Sequence, residues 1–189
     1  MSSKIGTGFE PGFLPAPQWR DENFDPLAIT IPGNNDAPVA LNIPTTDLFV
    51  ASFPNSALTE IPVSGKEVNH DWVVGTNLVP HAHLLKATAA AGNIKMSMEY
   101  RVVENGVTPV YGTATGVIAA PTNIWTDEAR VDLTEIDMST FTDVGAQITF
   151  RLFRDPSDAL DTYAGTVVVL SFGWHYQVNS SGSRTIGSK

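Results

Sequence analysis

The 189-residue chain contains no cysteine. That absence excludes disulfides, thiolate nucleophiles and thiolate metal ligands. Positive charge is also short: 11 Lys and Arg stand against 20 Asp and Glu, a formal net charge of −9. Phosphate backbones and anionic membrane surfaces demand the opposite sign, so neither nucleic acid nor membrane is an expected partner. Charge of either sign is scarce, at 16% of residues. Much of the surface must therefore be Ser, Thr, Asn and Gly, or be covered by neighbouring subunits. No apolar run approaches the roughly 20 residues of a transmembrane helix, and Met1 to Phe13 holds no signal-peptide core. The expectation is a chain made in a cytoplasm and soluble there. No window of a dozen residues repeats convincingly at the helical period.

What is present supports one folded domain: 42% of residues are hydrophobic, at a mean hydropathy of −0.01. The composition changes near residue 60. Eight of the 13 prolines lie before it, which argues against long helices and central strands, because proline lacks an amide donor and holds φ fixed. Apolar residues are threaded through the same stretch. Phe9, Phe13, Leu14, Trp19 and Phe24 on such a backbone read as anchors of an extended arm that lies against something else, either the same domain or a neighbouring subunit. Residues 1–60 are thus expected to form a Pro-rich N-terminal arm with the first strands. Residues 61–189 are expected to form a β-sandwich with a short polar C-terminal tail from Asn179.

Beyond residue 60 the pattern alternates. Ile94, Met96, Met98, Tyr100 and Val102 interleave with Lys95, Ser97, Glu99 and Arg101, the signature of a half-buried antiparallel strand. Asn105-Gly106 follows as a hairpin signal, with a return strand over 108–118. Ile148, Phe150 and Leu152 alternate likewise. In the last strand Val168, Leu170, Phe172, Trp174, Tyr176 and Val178 are expected to share the apolar face. Further strands are expected over 27–31, 38–43, 47–53, 70–74, 79–86 and 130–138, and one short helix over 156–160. The fold class predicted is all-β, a jelly-roll-like antiparallel β-sandwich.

Chemistry-bearing patterns are few. His81 and His83, at i and i+2 on a strand, would project together, and His175 could supply a third nitrogen for a metal; Glu67, His70 or Asp71 could add a ligand. The blander reading, satisfied polar residues at a sheet edge or a subunit axis, is preferred, so no metal and no cofactor is expected. Asp155, Asp158 and Asp161 could group around calcium, but the calcium-loop pattern is absent, and a capped turn is the simpler reading. There is no Gly-x-Ser-x-Gly elbow and no phosphate loop. Tyr111 and Trp125 are candidate sugar-stacking aromatics on loops.

The stretches Phe150-Arg-Leu-Phe-Arg-Asp-Pro-Ser-Asp-Ala-Leu-Asp-Thr-Tyr163, Phe172-Gly-Trp-His-Tyr-Gln-Val178 and Ser181-Gly-Ser-Arg184, with Pro80-His81-Ala82-His83 and Glu99-Tyr100, together resemble a group of small virion proteins of tailed bacteriophages and prophages. The resemblance spans residues 70–184. It implies a non-enzymatic structural role in the particle, and an acidic residue near the position that Gly173 occupies here. Taken with the arm, it leads to the expectation of a capsid decoration or cement subunit, a homotrimer bound to the major capsid protein or other virion proteins and located in the virion. A neck, tail, fibre-base or receptor-binding subunit is the alternative. A metal-dependent, cupin-like enzyme built on His81, His83 and His175 is a third reading from a different class.

Overall fold

The computed structural model describes residues 18–26 and 36–178. They form ten strands: β1 (Gln18–Phe24), β2 (Val39–Asn42), β3 (Phe49–Phe53), β4 (Thr59–Glu67), β5 (Val79–Lys86), β6 (Asn93–Val103), β7 (Val110–Ala119), β8 (Ala129–Asp132), β9 (Gln147–Arg154) and β10 (Val167–Val178). Among the described residues there is no helix. The strand expected over 27–31, the anchors Phe9, Phe13 and Leu14, and the C-terminal tail lie outside the described residues.

Two antiparallel sheets pack face to face. One runs β2-β3-β10-β5-β8, with β1 also paired to β10; the other runs β4-β9-β6-β7. From β3 onward the chain changes sheet at every connection except the β6–β7 hairpin. The orders β3-β10-β5-β8 and β4-β9-β6-β7 are the jelly-roll connectivity, two interlocked Greek keys. The core between the sheets draws on both inner faces: Ala82, Leu84, Phe172 and Trp174 from one, Ile94, Met96, Ile148 and Leu152 from the other.

Several expectations are refined by this architecture. The segment before residue 60 is not one free arm. β1 pairs with β10 along its whole length, from Gln18↔Val178 to Phe24↔Phe172, and β2 and β3 extend the same sheet. Strand β4 takes the edge of the smaller sheet, where Pro62 removes a donor at little cost. Gly65, at φ +67°, sits where the β4–β9 register slips, an extra-residue bulge that only glycine takes easily. The turn at Asn105-Gly106 needs one left-handed residue rather than two: Gly106 has φ +79°, and Asn105 is not among the positive-φ residues.

The apolar face of β10 differs from a simple alternation. Its register with β5 slips between Val169 and Ser171. Leu170 is the inserted residue, and the parity of the strand changes there. Val167 and Val169 join the core together with Phe172, Trp174, Tyr176 and Val178, whereas Val168 and Leu170 do not. The slip fixes which residues face outward beyond it: Gly173, His175 and Gln177.

The expected helix over 156–160 is a pair of turns. Asp158 N–H donates to the Asp155 carbonyl (3.2 Å) and Asp161 N–H to the Asp158 carbonyl (3.0 Å). The Asp155 carboxylate accepts from the Ser157 amide and the Asp158 carboxylate from the Leu160 amide, each at 2.9 Å. These short side-chain-to-backbone bonds compete with helix continuation.

Candidate functional site

Among the described residues, two clusters of ionisable side chains are built around a buried member, Arg154 in one and His81 in the other, and both of these lie in stretches that the sequence singled out. The first is the Arg-Asp-Pro-Ser-Asp…Asp-Thr-Tyr stretch. Arg154 ends β9 with its side chain fully buried, facing Asp161 at 1% exposure. Its Nε and one terminal nitrogen donate to the two Asp161 carboxylate oxygens, both at 2.8 Å. The remaining N–H groups reach the carbonyls of Phe53, Gly165 and Tyr163. All five guanidinium donors are thereby satisfied. One side chain ties β9 of the smaller sheet to β3 of the larger and to the 155–166 connection. Asp158 pairs with Lys95, which holds its carboxyl below the usual carboxylate range. Each of the three aspartates considered for calcium is therefore engaged within the chain.

The second cluster lies on the outer face of the larger sheet. Residues opposite one another on antiparallel strands share a face, which places His175 beside Asp21 of β1 and Gly173 beside His81 of β5. With no side chain at Gly173, His81 reaches past it toward Asp21. The His81 and His175 rings stack with centroids 4.3 Å apart and planes 13° from parallel. Asp21 spans the pair: Oδ1 lies 3.5 Å from His81 Nε2 and Oδ2 3.7 Å from His175 Nε2. Asn23 Nδ2 donates to Asp21 Oδ2 at 2.8 Å and orients the carboxylate. His81 is fully buried, and neither of its ring nitrogens makes a well-formed hydrogen bond, although Asp21 and the Val79 backbone lie close by. Burial, together with the neighbouring His175 and His83, pushes its pKa below the ordinary histidine value, against the opposing pull of Asp21.

The histidine trio that the sequence offered as the less favoured reading is only partly assembled. His83 ring-stacks edge-on to His81 with centroids 5.1 Å apart, but its Nδ1 lies 2.6 Å from Glu128 Oε1. His70 pairs with Glu67 at 2.8 Å, and Asp71 pairs with Arg20. The carboxylate that completes the pair of histidines, Asp21, was not foreseen. It arrives from β1, within the proline-rich segment, and only the strand register could have revealed it.

Gly173 has a second role. A Cβ there would lie 1.8 Å from the Glu22 carbonyl oxygen, so the close approach of β1 to β10 depends on glycine. The residue that cannot itself carry a carboxylate admits the strand that supplies one. β1 is held further by Glu22, which accepts from Lys66 and Asn69; burial favours its neutral form, but these two partners outweigh burial and lower its pKa.

The two arm anchors within the described residues point in opposite directions, because positions 19 and 24 are an odd number of residues apart on one strand. Phe24 turns inward and packs 5.2–5.6 Å from the rings of Phe150, Phe172 and Trp174. Of the two alternatives for what the arm lies against, the same domain or a neighbouring subunit, Phe24 takes the first. Trp19 faces outward and is 54% exposed. Tyr111 is exposed on β7, and Trp125 is half-buried at φ +64°.

No protein-family model matches the chain, and no curated protein matches it.

Proposed function

We propose that the chain is a structural subunit of a tailed-phage particle, a capsid decoration or cement protein. One observation carries the proposal: the residues behind the resemblance to phage virion proteins hold the fold together. Arg154, Asp161 and Tyr163 form the buried junction between the sheets, and Phe172, Trp174 and Tyr176 are core residues. A likeness in such residues is a likeness of scaffold, and the jelly roll is a frame that viral capsid proteins use. Function has to be argued from surfaces as well as from a frame. The outer end of the larger sheet supplies one. Val39, Leu48 and Phe49 are 66%, 64% and 55% exposed around β2, whose outer edge pairs with no strand among the described residues. An unpaired edge flanked by apolar side chains can accept a strand from another virion protein, with affinity from main-chain hydrogen bonds and specificity from side-chain contacts.

The test is the copy number of the chain in purified particles, by quantitative mass spectrometry against the major capsid protein. A copy number comparable to the capsid protein is the expected result. A small fraction of it would move the subunit to the neck, tail or fibre base, where Tyr111 would become the residue to test for glycan contact. Absence from particles would overturn the structural role altogether.

A further inference from the structure

From the Asp21, His81 and His175 cluster we infer a site for one divalent transition-metal ion, of the zinc type, that clips β1 onto the outer face of the sheet. The inference is independent of the virion reading.

Three observations meet here. The first is the donor set. Two imidazole nitrogens and a carboxylate suit zinc and its neighbours, and do not suit calcium or magnesium, which take all-oxygen shells. The second is spacing. One ligand atom from each of the three residues lies within 4.8 Å of the others, and the two carboxylate-to-nitrogen distances are 3.5 and 3.7 Å. Ligands about 2.0–2.1 Å from a tetrahedral zinc lie about 3.3 Å from one another. The two carboxylate contacts are therefore within a few tenths of an ångström of that spacing, and the stacked His81 and His175 rings would turn out of parallel to aim both nitrogens at one ion. The third is His81 itself. A fully buried imidazole with neither nitrogen in a well-formed hydrogen bond leaves a desolvated polar group poorly compensated. An ion at Nε2 would compensate it directly.

The neighbouring groups define the limits of the site. Asp132, across from His81 on β8, is engaged by Arg130 with Nε 2.9 Å from Oδ1. His83 is engaged by Glu128. Both are engaged elsewhere, so among the described residues three protein ligands are available and a fourth position is left for water or another donor. Asn23, bonded to Asp21, is a positioning residue. Because the ligands come from β1, β5 and β10, binding would join the first described strand to the centre of the sheet.

The experiment uses the full chain, stripped with chelator and titrated with zinc sulfate alone. Calorimetry is expected to show one zinc per chain. At a hundredfold excess over the Kd, the melting temperature should rise by about 5–10 °C. Asp21→Asn and His175→Ala should each weaken binding tenfold or more, while His83→Ala and His70→Ala leave it unchanged. Zinc should also slow amide hydrogen exchange in residues 19–23. Should a ligand variant unfold, Asn23→Ala provides the milder test, with a several-fold loss expected. Absence of saturable binding would overturn the inference. So would binding that survives both Asp21→Asn and His175→Ala, or that disappears with His70→Ala or His83→Ala.

Discussion

Arg154 and His81 are both ionisable, both fully buried and both at points where strands from distant parts of the chain meet, yet their surroundings are opposite. Arg154 has a partner for every donor, whereas His81 makes a well-formed hydrogen bond at neither nitrogen. A buried polar group with complete hydrogen bonding fixes one geometry and resists change. A buried polar group left open is tolerated only at a cost, and the cost makes it receptive to a ligand. The difference separates what the molecule uses to stay folded from what it has available to bind.

Substitutions at the two clusters should therefore diverge in size and even in sign. The largest effect is expected at Arg154. Arg154→Met would leave Asp161 charged and buried and remove a donor from three carbonyls, at a cost of about 3–5 kcal/mol, readable as a fall in the denaturation midpoint. An effect below 1 kcal/mol would mean that the five-bond junction contributes little. Next comes Phe24→Ala, which empties a half-buried aromatic position among Phe150, Phe172 and Trp174. A loss of about 2 kcal/mol is expected there, below the range for fully buried phenylalanine. A surface-like value would detach β1 from the account of the core.

Gly173→Ala should cost about 1–2 kcal/mol through overpacking against the Glu22 carbonyl. Its specific mark is faster hydrogen exchange in β1 with β5 unaffected; a uniform change across the sheet would count against a local clash. The smallest effect belongs to His81→Leu in the presence of chelator. Exchanging a poorly hydrogen-bonded imidazole for an apolar side chain should change stability by less than about 1 kcal/mol, or raise it. A loss comparable to that of Arg154→Met would erase the contrast between the two clusters.

Much of this was legible in the order of residues. Alternation in 94–102 and 148–152 located two central strands of the smaller sheet and their buried faces, because a period of two is imposed by backbone geometry and survives without neighbours. What alternation could not convey was the change of parity at Leu170, since a bulge arises from pairing with β5 and leaves no local trace in a run of Val and Leu. The candidate site shows the same division. His81 and His175 stood out by residue type, but Asp21 is one acid among many until β1 is laid antiparallel to β10. His83, equal to His81 by spacing, is diverted by Glu128 from a loop 45 residues away. Proline content argued against long helices and central strands before residue 60; the described residues there hold no helix, but β3 lies between β2 and β10, and neither β3 nor β1 contains a proline.

Strand β10 touches β1 and β3 on one side and β5 on the other, and it is the last strand of the described chain. During synthesis the larger sheet therefore lacks its centre until every other described strand has been made. β3 and β5 wait unjoined, and β1 lacks the one described strand it pairs with, while the smaller sheet can already assemble from β4, β6, β7 and β9. Non-local pairing of this kind is slow to form and leaves strand edges exposed in the interim. The time between the emergence of β1 from the ribosome and the arrival of β10 is when this chain is most open to pairing with the wrong copy of itself.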